Sequence, residues 1–160
     1  MLLNAHGRVS EPYGPFLKRW SEEWITAHDP ERDAPLDEDV VRDAWLGFAP
    51  ASADEVAAAE ARLGCSLPPS LREFLLVTNG WRHAGNFIYR LASTTEFDWL
   101  HDTDDAGWIE AYGEDVDDGE ILGRSLRLSL AADATVLFLD PTTWTTTANG
   151  PATGSPRGPG

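Results

Sequence analysis

The chain is poor in several things at once. Among its 160 residues there is one cysteine, one methionine and, at Lys18, one lysine. A lone Cys65 forms no internal disulfide, and its place between two predicted helices fits a reducing cytoplasm. No apolar run reaches the ~18 residues that a membrane helix needs. Met1-Leu2-Leu3-Asn4 has neither the basic start nor the apolar core of a signal peptide. There is no G-x-G-x-x-G, and the stretch Gly80 to Gly85 lacks the Lys-Ser/Thr ending of a phosphate loop. His6, His28, His83 and His101 show neither H-x-x-x-H nor H-x-H spacing, so a zinc site is not indicated. His83 and His101 both follow aromatic-rich segments and are the pair that could meet in space. Cys65 has no neighbouring signature of a nucleophile. These absences leave no cofactor, no small-molecule substrate and no membrane role in view, and they point away from an enzyme.

Positive charge is also scarce. The net charge is −15, and it is concentrated. Eleven acids lie between Glu96 and Glu120, with no lysine or arginine among them. Nucleic acid is disfavoured, because phosphate binding needs basic residues. A basic protein would be attracted and steered. Within this segment Asp102-Thr103-Asp104-Asp105-Ala106-Gly107 starts like a calcium loop. The pattern fails at Ala106 and at Gly113, where ligands are needed. The acids are a solvated face or an acidic binding surface. Carboxylate pairs such as Asp104-Asp105 and Asp117-Asp118 sit in loop-like sequence, without the environment that separates pKa values for acid-base work.

The first half is helical. Phe16, Trp20 and Trp24 recur every four residues, so residues 15–27 read as an amphipathic helix. Asp29-Pro30 breaks it, and Asp37 caps a short helix through Trp45. Ser52 followed by Glu55 is a capping box, worth about 1 kcal/mol. Val56, Ala59 and Leu63 then share one face, and Gly64 supplies the left-handed C-cap. Pro68-Pro69 opens a further helix with Leu71, Phe74, Leu75 and Thr78 at helical spacing. Asn79-Gly80 ends it. Only Cys65-Ser66-Leu67 separates the two, which predicts a helical hairpin.

After Trp81 the pattern turns to strands. Residues 87–91 read as one strand and Phe97 with Trp99 as a short extended piece. Residues 107–112 read as a helical turn or a short helix. Residues 124–130 form a strand with Leu126, Leu128 and Leu130 on one face. Residues 135–139 are a near-continuous apolar run, expected to be a central strand carrying Val136 and Phe138. Residues 142–147 are a candidate edge strand. The class is therefore α+β: N-terminal helices packed on a mainly antiparallel sheet. Residues 1–14 read as a flexible start, 15–147 as one domain, and 148–160 as a disordered Gly/Pro-rich tail.

The order of these signals resembles the SUKH superfamily, the Smi/Knr type of domain. The carrying residues are Trp45-Leu46-Gly47, Glu55 to Arg62, Leu63-Gly64-Cys65-Ser66-Leu67-Pro68, Leu71 to Phe74, and Asn79-Gly80-Trp81. A weaker likeness runs through Ser129-Leu130 and Val136 to Pro141. The resemblance implies a SUKH-like fold and a non-catalytic role. Members are mostly bacterial immunity proteins that neutralise polymorphic toxins, and yeast members regulate cell-wall synthesis. Relatives continue with a further strand and a closing helix; here a low-complexity end stands instead.

The implied partner is a protein, a basic toxin domain of nuclease or deaminase type, held by occlusion of its active site. The alternative is a regulatory scaffold unconnected to toxins. The expected contact residues are Trp81, Trp99, Asp102, Asp104, Asp105, Trp108, Tyr112, Asp115, Asp117 and Asp118. Carboxylates would replace substrate phosphates, and tryptophan or tyrosine would anchor. The same aromatics could instead pack the sheet. Deleting residues 148–160 is expected to leave the melting temperature within a degree or so, since such a tail buries nothing; a scanning calorimetry shift of many degrees would move the domain boundary.

Overall fold

Ser52 and Glu55 build the best-defined start in the chain. The Glu55 amide donates to Ser52 Oγ at 3.2 Å, and the Ser52 amide donates to Glu55 Oε2 at 2.7 Å. The computed structural model in which this is seen describes residues 13–85, 87–112, 116–133 and 135–142. The first four helices are α1 (Tyr13–Ala27), α2 (Glu38–Asp43), α3 (Ala53–Leu63) and α4 (Pro69–Leu75). Strands β1 (Trp81–Arg82), β2 (Ile88–Leu91) and β3 (Asp98–Trp99) follow, then α5 (Gly107–Tyr112) and α6 (Val116–Gly123). Last come β4 (Leu126–Arg127), β5 (Ser129–Ala132) and β6 (Phe138–Leu139). The class is α+β, and every strand pairing is antiparallel.

The chain forms two compact units. One contains the chain up to Phe97 together with Leu128–Leu137, and the other Asp98–Arg127 and the chain from Phe138. In the first unit the sheet order is β1-β2-β5; in the second it is β3-β4-β6.

In the first unit, Leu17, Val40, Leu46 and Trp81 form one core cluster, with Tyr13, Trp24, Trp45 and Phe74 packed against it. Trp45 meets Trp81 edge-on, centroids 5.1 Å apart. Two features of α1 differ from expectation. It begins at Tyr13, so the last two residues of the supposed flexible start are helical. Its inward face is also turned. Phe16 and Trp20 are 41% and 37% exposed, while Leu17 and Ser21 are buried. The cause is Ser21: its hydroxyl donates to Leu17 O at 2.9 Å and accepts from Leu46 N at 3.1 Å. A satisfied polar side chain thus holds a place that hydrophobic periodicity gave to an aromatic.

Helix α2 stops at Asp43, before Trp45, because Ala44 adopts a left-handed conformation (φ 48°). Asp37 occupies the N-cap position without a side-chain cap bond. Its carboxylate lies 2.8 Å from Arg82 Nε instead. The boundaries of α3 follow the sequence, with Val56, Ala59 and Leu63 buried and Gly64 at φ 72°. In α4 only Leu75 is fully buried; Leu71 and Phe74, expected inside, are half-buried. A seven-residue helix points one row inward, and Phe74 lies at the edge, its ring against Tyr13 at 6.1 Å. The α3–α4 link is closed by Glu60, which accepts from Leu67 N at 2.8 Å and lies 3.6 Å from Arg72.

The second half departs more. The strand expected over 124–130 is divided at Leu128 into β4 and β5, which belong to different sheets. Leu128 itself turns its N–H to Leu137 O at 2.8 Å and accepts from Ala92 N at 2.8 Å. The central strand expected over 135–139 is reduced to β6, at the edge beside β4, and Val136 precedes it in irregular backbone. Leu137 O takes N–H groups from both Leu128 and Ser129, and Leu137 N donates to Ser129 Oγ at 2.9 Å. A side chain there replaces one rung of the ladder. The acidic stretch read as loop is helical over α6. Residues 143–147 and the tail 148–160 lie outside the described residues, as do residues 1–12 of the N-terminal start.

Two outcomes follow from this packing. A Cβ on Gly47 would overlap Thr78 Oγ1 and the Trp45 indole. Thr78 cannot yield, since its hydroxyl accepts from Phe48 N at 2.8 Å and donates to Gly80 O at 2.6 Å. Gly47→Ala is expected to cost about 1–3 kcal/mol, as overpacking does, read as a fall in urea midpoint; an unchanged midpoint would show that the contact relaxes freely. In the second unit, Arg124 Nε and Nη2 grip Asp140 at 3.0 and 2.9 Å, and Thr142 N adds a bond at 2.9 Å. The guanidinium hydrogen bonds hold the Asp140 carboxyl well below the usual carboxylate range, against some opposing desolvation. With a depressed folded pKa, the stabilisation is fully present above the unfolded value of about 4 and is lost progressively as pH falls from there through the folded value. Asp140→Asn should therefore lower the melting temperature more at pH 7 than at pH 2. Equal losses at both pH values would deny the linkage.

Candidate functional site: an acid-edged aromatic cleft

The cleft in the second unit has a volume of about 540 Å³ and is lined by Asp104, Asp105, Gly107, Trp108, Ala111 and Tyr112. Two 3₁₀ turns, Leu100–Asp102 and Asp104–Ala106, lead into α5. Thr103 ties them, donating to Leu100 O at 2.8 Å and accepting from Asp105 N at 3.3 Å. Trp108 and Tyr112 are four apart on α5 and so share a face. Their rings lie 5.6 Å apart and nearly parallel, at 7°. Tyr112 is 52% exposed. Asp105 is neutralised by Arg127 at 3.0 Å. Asp104 is exposed and makes no ion pair among the described residues.

The other expected contact residues are distributed unevenly. Asp102 is exposed beside His101, 3.2 Å from its Nε2. Trp99 is half-buried in β3 opposite Leu126. Trp81 is a correction: at 3% exposure it belongs to the core of the first unit and offers no ring to a partner. Asp117 and Asp118 fall on α6, and Asp115 lies outside the described residues. The acidic segment is also less bare than its sequence. Glu96 is paired with Arg90 at 2.8 Å, as Asp105 is with Arg127, by arginines outside the acidic run.

A second cleft, of about 600 Å³, lies in the first unit, and no sequence motif announces it. Trp24, His28, Asp33, His83 and Tyr89 are among its walls. His83, paired in the sequence reading with His101, stacks on Trp24 at 5.5 Å. Its backbone is left-handed, φ 51°. Burial pushes its imidazole pKa down, with Asp37 opposing and His28 and Arg82 adding to the fall. His28 Nδ1 is 3.7 Å from Asp33 Oδ2. No hydrogen bond joins the His83 ring to a carboxylate among the described residues. Burial, then the Glu60 charge, pushes the Cys65 thiol up, away from thiolate chemistry. Among the described residues, no group of three His, Cys, Asp or Glu side chains gathers to hold a metal ion. None of the described helices is long and apolar enough to cross a membrane.

Comparison with curated proteins and with solved structures finds no match. The model of the SMI1 / KNR4 family (SUKH-1) matches residues 50–135, a little over half of the chain. That span starts just before the capped α3, takes in the Asn79-Gly80-Trp81 turn and the cleft on α5, and ends after β5. The chain belongs to the SMI1 / KNR4 (SUKH-1) family.

Proposed function

We propose that the protein is a non-catalytic, cytoplasmic binding protein of immunity type, which neutralises a cognate toxin by covering its active site. The observation that carries this is the cleft on α5: a stacked aromatic pair, part-exposed, beside Asp104, which makes no ion pair among the described residues. Such a surface suits a basic protein patch, since aromatic rings anchor interfaces and like charges exclude nucleic acid. The family supports a protein-binding role. The Cys65 thiol, whose pKa burial raises, favours binding over nucleophilic catalysis. A nuclease or deaminase has a basic substrate groove, and Asp102 and Asp104 would oppose it in place of phosphates, with Asp117 and Asp118 adding charge to the same acidic run.

The test is a kinetic titration against the product of any toxin gene found adjoining that of this protein. Replacing Asp102, Asp104, Asp117 and Asp118 with Asn is expected to slow association about tenfold at 0.01 M salt, where the Debye length is ~30 Å, and far less at 0.15 M. Trp108→Ala should leave the association rate nearly constant and raise the dissociation rate. Asp105 is left intact in this design, so that Arg127 keeps its partner. If the fourfold variant binds with unchanged kinetics at both ionic strengths, the acids are a solvated face. If the protein binds a cellular regulator and no toxin, the regulatory scaffold replaces the immunity role.

A further inference from the structure

We propose that the cleft on α5 is a receptor for a single arginine side chain of the partner, its guanidinium laid on the Trp108–Tyr112 pair and its N–H groups directed at Asp104. This rests on the protein-binding role of the same cleft.

Each wall selects for that group. The two rings are within 7° of parallel with centroids 5.6 Å apart, a stacked pair, and a third plane can continue that stack from the half-exposed Tyr112. A planar, delocalised, weakly hydrated cation stacks on such a surface, whereas an ammonium is a compact and strongly hydrated point charge. Asp104 supplies the opposite charge at the edge of the same cleft. Its neighbour Asp105 shows the chemistry already in use: Arg127 Nη1 donates to Asp105 Oδ2 at 3.0 Å. One of the two adjacent carboxylates is thus satisfied from within, and the other is available.

Competing occupants fit less well. A divalent cation finds no three ligands among the described residues. A phosphate would face two carboxylates. An uncharged aromatic side chain would cover the rings, displace water from Asp104 and leave its charge unpaired, which costs more than stacking returns. Gly107 and Ala111 keep the walls between the acids and the rings low.

The test uses the full chain, labelled with ¹⁵N, and follows the indole N–H resonance of Trp108. Three capped tripeptides are titrated: acetyl-Gly-Arg-Gly-amide, its lysine counterpart, and its citrulline counterpart, which keeps the plane and loses the charge. The arginine peptide should shift the resonance saturably and bind about tenfold more tightly than either of the others. Asp104→Asn and Tyr112→Leu should each weaken it by a similar factor, while Trp108→Phe, which keeps a ring and is followed through the backbone amide of residue 108, should hold most of the affinity. Lysine binding as well as arginine, an unaffected Asp104→Asn variant, or a Trp108 resonance that never moves would overturn the proposal. The broader role fails separately. Arginine capture without any toxin binding would sink the immunity reading alone. Toxin binding with kinetics indifferent to Asp104→Asn and Tyr112→Leu would sink the arginine receptor alone.

Discussion

The first unit depends on what Arg82 does. Its side chain is 15% exposed and has every nitrogen engaged. Nε meets Asp37 at 2.8 Å, Nη2 meets Asp39 at 3.1 Å, and Nη1 donates to Gly47 O at 2.9 Å. The plane of the group lies over Phe48, 3.9 Å from the ring centre. Its backbone N–H goes to Leu46 O at 3.1 Å. One residue on an edge strand thereby fixes the start of α2, the Leu46–Phe48 segment and β1. The two carboxylates are about half exposed, so their Coulomb energy is screened. The value of the arrangement is geometric: a planar fork can hold three partners at set angles, and an ammonium cannot.

This explains which parts of the fold were legible in the sequence. The α3 signals are local. Ser52, Glu55 and Gly64 act within one helix, and their pattern survives any tertiary context. Asp37 carries the same kind of signal, but a distant arginine took the carboxylate from the cap. Ser21 is a parallel case on α1: the position is buried because a partner on Leu46 exists, and no periodicity of apolar residues reports that. The strand pattern failed for a related reason. Leu126, Leu128 and Leu130 alternate well, yet alternation does not say that consecutive strands belong to different sheets. Leu137, which takes two amides on one carbonyl, closed a run that looked continuous.

The candidate site divides along the same line. Trp108 and Tyr112 are neighbours by helical spacing and were found together. Trp81 was misplaced because an Asn-Gly-Trp turn does not disclose which side of the sheet its ring enters. Acidity, read as a sum over residues 96–120, overstated the field, since Arg90 and Arg127 come from outside that run. The histidine cleft was invisible for a simpler cause: His28 and His83 are brought near each other only by the meeting of α1's end with the β1–β2 turn.

Lys18 has a consequence of another kind. It is the only lysine, and its ammonium donates to Asp43 O and Ala44 O at 3.1 and 2.9 Å, closing the last turn of α2. Side-chain amine chemistry on this protein is therefore confined to one group. Acetylation, ubiquitin transfer or an amine-directed crosslinker has no second lysine to choose, and reaching that one means withdrawing two hydrogen bonds from a helix end.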